Sequence, residues 1–361
     1  MNSRTPRVLG FALILMLTAC DNTQDSTLGS APNQVSAPRQ VQHTTPTRQH
    51  SRVVRHDIQL DVRNTLEPYQ TLSIENDILD LVVHDGRMLV SSVGFIAIYD
   101  LHNLEPVSRF EFDKIENFYG DLNFPRLYSA DLSRHDDRIV FVKETASGKT
   151  VVQMQYGSEE TTLIPEDENL AIRKIRFLDE HRILMATIES EAVIYDLRKS
   201  MITYKKQLSH SSFSDFAINP KSHDFVFATE SGAIPLVDGD TGEIKTIIEG
   251  GNLDDIYSIE FADRVIITAG KDRSVSVYNL DSNLVEKFTS EFYFFAISLN
   301  TGTQSALFVV NEANQVGLFD LDRQKVRILL NGAGKSIEVL KFINQHQALG
   351  ATYNQILFWS F

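Results

Sequence analysis

Ile98-Tyr99-Asp100-Leu101 closes a short apolar segment, and similar peptides return along the chain at regular intervals. The clear copies are Ile194-Tyr195-Asp196-Leu197, Val277-Tyr278-Asn279-Leu280, Leu318-Phe319-Asp320-Leu321 and Phe358-Trp359-Ser360, and weaker ones are Gln155-Tyr156-Gly157 and Leu236-Val237-Asp238. With positions 99, 156, 195, 237, 278, 319 and 359 as markers, the last five steps are 39, 42, 41, 41 and 40 residues, and only the first, at 57, is long. A period of about 40 residues made of short strands is typical of a β-propeller, in which each repeat forms one four-stranded blade.

The markers predict an all-β fold, a seven-bladed β-propeller that spans residues 52–361. Throughout this region, short alternating or β-branched runs are separated by Gly, Asn and Asp turns, with no helical period. The last repeat ends after a third strand, and residues 52–62 form an alternating segment that precedes the first repeat. We therefore expect residues 52–62 to pair with the last blade and close the ring, which protects the open edges.

One repeat resembles a known family. Residues 269–280, AGKDRSVSVYNL, resemble a WD repeat, and the turn at residues 238–243, DGDTGE, is similar to the turn that leads into an outer strand of such repeats. Only Trp359 keeps the family's tryptophan, and most repeats lack its histidine and its turn aspartate. The resemblance implies a degenerate WD-like propeller, which specifies a fold and not an activity.

The chain begins with a signal-like segment. Two arginines precede the apolar run VLGFALILML at residues 8–17, which is short for a membrane span. The peptide Leu17-Thr18-Ala19-Cys20 follows, and Cys20 is the single cysteine of the protein. This ending resembles the lipobox of bacterial lipoproteins. The resemblance implies that residues 1–19 are a signal peptide and that Cys20 carries the lipid chains that anchor the mature protein.

The residues after Cys20 predict a membrane localisation and a disordered tether. Asp21 resembles the inner-membrane retention signal of enterobacterial lipoproteins, which implies an anchor in the inner membrane, on its periplasmic side. Residues 20–51 are rich in Ser, Thr, Gln, Asn and Pro, so they cannot bury a core and are expected to be disordered. Such a tether has a typical reach of about 30 Å.

The charge balance limits the possible partners. The chain has 34 Lys and Arg against 48 Asp and Glu, a net charge of −14. This acidic balance argues against nucleic acid as a partner and against electrostatic adhesion to anionic lipid, so membrane contact is expected through the anchor alone. Lipidation of Cys20 leaves no thiol for a disulfide, a metal or a nucleophile.

The long first interval contains the candidate contact residues. Residues 113–126 form an extended loop that carries Phe118, Tyr119 and Phe124 among charges, and Tyr293 belongs to a second aromatic group at the same kind of junction. Long loops on a rigid scaffold often bind partners, and aromatic side chains are favoured at interfaces. We therefore name Phe118, Tyr119, Phe124 and Tyr293 as candidate partner-binding residues. The alternative is that these aromatics only cover the ends of the blades.

The central channel contains candidate ligands for a metal. Inner strands are expected to carry four carboxylates, Asp80, Asp131, Asp215 and Glu260. If they converge on the channel axis, they could hold Ca²⁺, which prefers oxygen ligands. The alternative is that they bond to water and to neighbouring backbone in a wet channel.

These features favour an interaction protein over an enzyme. The sequence contains no G-x-S-x-G elbow and no H-x-x-x-H pair, so no catalytic residue and no cofactor are predicted. We expect a membrane-anchored scaffold or accessory module whose partner is an envelope protein or complex. The alternative function is a metal-dependent hydrolase or a small-ligand binder that uses the central channel.

Overall fold

The computed structural model describes residues 46–332 and 334–361, and its regular structure is almost entirely β-strand. The exception within the described residues is one 3₁₀ turn, Glu166–Glu168. Residues 1–19, Cys20, Asp21 and most of residues 20–51 lie outside the described part of the chain. The signal peptide, the lipid anchor, the retention signal and most of the tether therefore stay predictions.

The strands form one N-terminal segment followed by seven blades. The segment consists of β1 (Arg48–His50), β2 (Arg52–Asp57), β3 (Gln59–Leu66) and β4 (Gln70–Ser73). Blade 1 contains β5 (Ile78–His84), β6 (Arg87–Ser92), β7 (Phe95–Asp100) and β8 (Pro106–Glu111), and a hairpin of β9 (Ile115–Glu116) and β10 (Leu122–Asn123) follows it. Blade 2 contains β11 (Leu127–Leu132), β12 (Ile139–Glu144), β13 (Thr150–Tyr156) and β14 (Glu159–Ile164); blade 3 contains β15 (Ile172–Phe177), β16 (Arg182–Thr187), β17 (Glu191–Asp196) and β18 (Met201–Gln207); and blade 4 contains β19 (Phe213–Ile218), β20 (Phe225–Thr229), β21 (Ile234–Val237) and β22 (Ile244–Glu249). Blade 5 contains β23 (Ile256–Ala262), β24 (Val265–Gly270), β25 (Ser274–Asn279) and β26 (Leu284–Thr289); blade 6 contains β27 (Ile297–Asn300), β28 (Ser305–Val309), β29 (Val316–Asp320) and β30 (Lys325–Leu330); and blade 7 contains β31 (Val339–Phe342), β32 (Gln347–Ala351) and β33 (Gln355–Ser360).

Each blade is an antiparallel meander whose first strand is innermost, and the inner strand of blade 7, β31, contacts that of blade 1, β5. The prediction of a seven-bladed propeller is confirmed. The long first interval holds the β9–β10 hairpin and no further blade. Loops that leave an outer strand, and loops between second and third strands, lie on one side of this ring, which we call the upper face. The remaining blade loops form the lower face.

The hydrophobic core is divided into seven clusters, one at each junction between neighbouring blades. Phe141 of blade 2 packs with Leu89 of blade 1, for example, and Trp359 of blade 7 packs with Leu307 of blade 6. Both faces of every blade are thus buried. This explains why the second and third strands are almost continuously apolar in sequence instead of alternating.

The strand that closes the ring is not the predicted one. We expected residues 52–62 to complete the last blade, but β2 pairs in parallel with β26 of blade 5, and β3 pairs in parallel with β30 of blade 6. The fourth strand of blade 7 is β4, antiparallel to β33, with Leu72 opposite Ile356. The prediction was wrong because an alternating segment fits any open sheet edge. All three strands run in the direction of an outer blade strand, so strand direction does not distinguish them, and β4 is the one that the chain places beside β33.

A strand also lies before the predicted boundary at residue 52. Strand β1 adds in parallel to β22 of blade 4, and the Arg48 guanidinium lies 2.5 Å from the Glu249 carboxylate. The backbone carbonyl of Thr47 accepts a bond from the Ile247 amide at 3.1 Å. A polar composition cannot build a core, but an existing sheet edge supplies backbone partners for polar residues as well as for apolar ones. Strands β1 to β3, which we call the N-terminal belt, therefore join three blades along their outer edges.

The WD-like segment of blade 5 holds a buried polar network. The carboxylate of Asp272 accepts bonds from Asn252 at 2.8 Å and from the ammonium of Lys287 at 2.6 Å, and Ser274 donates to it as well. The backbone amide of Asn252 donates to the hydroxyl of Tyr278 at 3.3 Å, and burial raises the pKa of Tyr278 to about 12. These bonds join the loop before the blade to its turn and its third and fourth strands. A lysine as buried as Lys287 is tolerated because it is paired.

The closing role of β4 can be tested by truncation. A chain that starts at Ile74 lacks β4 and uncovers β33, so we expect aggregation and a melting temperature at least about 5 °C below that of a chain that starts at Ile58. The longer variant loses only β1 and β2, which add fifth strands to sheets that are already complete. Calorimetry and size-exclusion chromatography measure both effects. Equal stability and solubility of the two truncations would contradict the role assigned to β4.

Candidate functional site

The seven inner strands surround a central channel with two wide ends. The upper end is a cavity of about 540 Å³ and the lower end a cavity of about 760 Å³. Four charged side chains line both cavities: Lys174, Arg176, Asp215 and Lys341. The middle of the channel is therefore occupied by charged groups, and the predicted carboxylates lie among them.

Asp80 on β5 forms a bidentate ion pair in the channel. Its two carboxylate oxygens accept bonds from Nη1 and Nη2 of Arg176, on β15, at 2.7 and 2.8 Å, and the hydroxyl of Ser129 donates to Asp80 at 2.6 Å. Burial alone would raise the pKa of Asp80, but Arg176, with smaller contributions from Lys174 and Ser129, more than offsets it and lowers the pKa to about 2. The pair spans from blade 1 to blade 3, so it ties inner strands that are not neighbours.

Asp131 on β11 is held in a similar way at the lower end. Its Oδ1 lies 2.9 Å from Nε2 of His84 on blade 1, and its Oδ2 accepts the backbone amide of Phe177 on blade 3 at 2.8 Å. Burial favours the neutral acid, yet His84, Arg176 and the Phe177 amide together lower the pKa of Asp131. The carboxylate is therefore charged and already satisfied by groups from both neighbouring blades.

The other two carboxylates pair with lysines. Asp215 on β19 contacts the Lys174 ammonium of blade 3 and accepts the backbone amide of Ile259 on blade 5 at 3.1 Å. Burial lowers the pKa of Lys174, although the charge of Asp215 opposes this shift. Glu260 on β23 contacts the ammonium of Lys341 on blade 7, across blade 6.

The four predicted carboxylates thus face the channel but do not converge. Each lies against a basic side chain, and these basic side chains come from other blades. Within residues 46–332 and 334–361, no group of three or more His, Cys, Asp and Glu side chains is arranged to hold a metal ion. These side chains cross-link the inner strands. The expectation that the four carboxylates bond to water and backbone did not include their basic partners. No sequence pattern marks Arg176 or Lys341 as a channel residue.

The long loop between blades 1 and 2 forms a β-hairpin. Strands β9 and β10 pair, and the side-chain oxygen of Asn117 accepts the backbone amides of Tyr119 and Asp121 at 2.9 and 3.0 Å. Gly120 supplies the positive φ of 85° that the turn needs. At the tip, Phe118 is 91% exposed and Tyr119 is 85% exposed, with their rings edge to face at 5.6 Å. The hairpin holds two large aromatic side chains in solvent.

The other two predicted contact residues are partly covered. Phe124 packs over Gly94, where an added Cβ would lie 3.0 Å from its ring, and the Lys114 ammonium lies 5.0 Å from the ring centroid. Tyr293 lies beneath the Arg273 guanidinium, 5.2 Å from its centroid, and its ring is near Phe295. Both residues still expose close to half of their surface, so they serve as cover and as exposed surface at once.

Exposed apolar side chains are concentrated on the upper face. Of the fifteen large hydrophobic side chains that are exposed among the described residues, nine belong to upper-face loops: Phe118, Tyr119, Leu122, Phe124, Ile188, Leu253, Tyr293, Phe295 and Tyr353. The lower face carries Tyr156 and Met201. Sequence analysis missed Ile188, Leu253 and Tyr353, because single apolar residues in short loops give no pattern. The only sequence signal for their exposure was that each lies between two predicted strands.

No protein-family model matches this sequence, and no curated protein matches it. Among the described residues, no helix is long and apolar enough to cross a membrane. The class defined here is therefore a seven-bladed β-propeller with a charged channel and an apolar upper face, and these features are the basis for a functional proposal.

The Asp80–Arg176 pair predicts a pH-dependent stability. Asp80→Asn leaves a buried guanidinium without its counter-charge, so we expect a loss of about 3–5 kcal/mol at pH 7, measured by chemical denaturation. The folded pKa of about 2 lies below the ordinary 3.8, so the stabilising contribution is present above about pH 4 and declines as the pH falls towards 2. The difference in unfolding free energy between the wild-type protein and Asp80→Asn should therefore become smaller between about pH 4 and pH 2.

The control for this measurement is Asp137→Asn. Asp137 pairs with Arg87 at 2.8 Å, but its side chain is 81% exposed, so its loss should cost less than about 1 kcal/mol. If Asp80→Asn were as mild as this control, the channel pairs would not be structural.

Proposed function

We propose that this protein is a lipid-anchored, WD-repeat-like propeller that binds a protein of the bacterial envelope through its upper face. The observation that carries the proposal is the concentration of exposed apolar side chains on that face, led by Phe118 and Tyr119. Solvent-exposed aromatics cost free energy unless a partner covers them, and clustered ones mark interaction sites. Propellers commonly serve as scaffolds for protein interactions, and this likeness of fold is an argument by analogy.

The hairpin is suited to act as an anchor in a partner's pocket. Asn117 fixes the turn, so docking would cost little of the conformational entropy that a free loop loses on binding. Aromatic residues dominate binding energy at protein interfaces, usually from the centre of the contact. Leu122, Tyr293 and Phe295 would extend the contact across the same face.

The membrane part of the proposal rests on the sequence. Cys20 follows the lipobox-like residues 17–19, and Asp21 occupies the position that resembles a retention signal. A lipidated Cys20 would keep the propeller near the periplasmic side of the inner membrane. The partner would then be an inner-membrane or periplasmic complex within reach of the tether.

The hairpin can be tested with paired double variants. Phe118→Ser/Tyr119→Ser should reduce recovery of the partner in a tagged pull-down from envelope extracts by about tenfold or more, since two hot-spot side chains are lost. The control Tyr156→Ser/Met201→Ser makes the same kind of change on the lower face, where the side chains are 55% and 54% exposed, and should leave recovery intact. Unchanged recovery with the hairpin variant would exclude this loop from the interface.

The anchor can be tested independently of the propeller. Cys20→Ser removes the lipid acceptor, so we expect an uncleaved precursor that no longer incorporates labelled fatty acid. On a density gradient, we expect the wild-type protein in the inner-membrane fraction and the Asp21→Ser variant in the outer-membrane fraction. A Cys20→Ser protein that is still processed and membrane-bound would refute the lipobox, and wild-type protein in the outer membrane would refute the retention signal.

A further inference from the structure

The upper cavity of the channel is basic although the protein is acidic. The chain has a net charge of −14, yet the cavity is lined by more cations than carboxylates. The cations are Arg126, Arg173, Lys174, Arg176 and Lys341, and the carboxylates are Asp80, Asp215 and Glu338. A local positive site on an acidic surface attracts an anion at one place while the surroundings repel it, which gives specificity.

Ion pairs within the channel neutralise only part of this charge. Lys174, Arg176 and Lys341 are the three cations already paired with carboxylates of the channel. Within the described chain, no carboxylate oxygen lies within 4.0 Å of a guanidinium nitrogen of Arg126 or Arg173. The third carboxylate, Glu338, forms no ion pair with either arginine, and burial, followed by the nearby charge of Asp77, raises its pKa. The guanidinium groups of these two arginines are therefore not ion-paired, although the Glu144 carboxylate accepts the backbone amide of Arg126 at 3.2 Å.

Arg126 and Arg173 both lie close enough to Tyr128 for their charges to act on its hydroxyl. The guanidinium of Arg173 lies over the Tyr128 ring, 5.3 Å from its centroid, and Arg126 precedes Tyr128 by two residues at the start of β11. Burial, and then Glu144, raise the pKa of Tyr128, while the charges of Arg126 and Arg173 oppose that rise. Arginine presents a planar fork of donors that matches a carboxylate, and the stacking on Tyr128 orients one of these forks.

Blades 5 and 6 supply an apolar wall to the same cavity. The rings of Tyr257 and Phe295 stack there, with centroids 5.3 Å apart and an interplanar angle of 23°. Phe295 and its neighbour Tyr293 continue this wall onto the upper face. A group that fills the cavity therefore meets cations on one side and aromatic surface on the other.

We propose that this cavity binds a carboxylate from an acidic segment of the partner protein, between Arg126 and Arg173, with an adjacent apolar side chain against Tyr257 and Phe295. The inference rests on the proposed function, since it identifies the chemistry of the partner that covers the upper face. A protein segment fits better than a free small anion because the apolar wall continues out of the cavity towards the exposed side chains of that face. The net negative charge of the chain then selects against acidic partners that lack a segment able to enter the cavity.

The test uses two fluorescein-labelled peptides with amidated ends, GSFEEFSG and its isostere GSFQQFSG, and measures anisotropy with the wild-type protein at about 50 mM salt. We expect the glutamate peptide to bind about tenfold more tightly, because two charge-assisted bonds are lost with glutamine. In Arg126→Gln/Arg173→Gln, the affinity for the glutamate peptide should fall about tenfold, to that for the glutamine peptide.

The control removes the same charge from the opposite face. Arg134→Gln/Arg198→Gln changes two arginines of lower-face loops and should keep the preference for glutamate. Circular dichroism and melting curves establish that both variants are folded. Equal affinity for the two peptides, no binding of either at about 1 mM, or an unchanged preference in Arg126→Gln/Arg173→Gln would overturn the proposal.

Competition by free glutarate separates the two possible sources of the carboxylate. If glutarate displaces the peptide at the peptide's own dissociation constant, the site takes a small dicarboxylate and the assignment to a protein segment is overturned. The proposed function fails by a different result, namely unchanged partner recovery by Phe118→Ser/Tyr119→Ser. An intact peptide preference in Arg126→Gln/Arg173→Gln, combined with lost recovery in the hairpin variant, would refute only the carboxylate site.

Discussion

The packing of each blade against its two neighbours is the constraint on which this structure depends. Every blade buries apolar side chains on both faces, and each of the seven clusters belongs to two blades at once. No blade has a complete core of its own, so stability requires that the ring be closed. Blade 7 supplies three strands from the last repeat and depends on β4 for its fourth. Closure is thus made by residues far apart in sequence.

Two polar devices reinforce this closed ring. Inside, Arg176, Lys174 and Lys341 pair with carboxylates of other blades, so the inner strands are joined by charge as well as by packing. Outside, the N-terminal belt adds fifth strands to blades 4, 5 and 6 through backbone bonds that need no apolar surface. The belt covers edges that would otherwise be open to pairing with another chain. The long loop between blades 1 and 2 stands on this ring, and the Asn117 bonds fix the turn that holds its aromatic side chains in solvent.

Function, on this view, follows from what the closed ring leaves uncovered. The channel carboxylates are already satisfied, whereas the upper face keeps exposed apolar groups and two arginines whose guanidinium groups form no ion pair among the described residues. Apolar surface and an unpaired cation together define the chemistry of a complementary surface, which is acidic with adjacent apolar side chains. The proposed lipid anchor at Cys20 is a separate matter, since it rests on the sequence of the terminus and not on the fold.

The repeat of about 40 residues determined the fold class and the number of blades, because each repeat encodes the same local strands and turns. It also predicted that Phe118 and Tyr119 lie in an exposed loop, since 57 residues are too many for one blade. The sequence could not assign β2 and β3 to blades 5 and 6, because alternating strands carry no signal for a particular edge. Nor could it pair Asp80 with Arg176 or place Arg126 and Arg173 in the lining of one cavity. Those contacts join residues of different blades, and only closure of the ring decides which side chains meet in the channel.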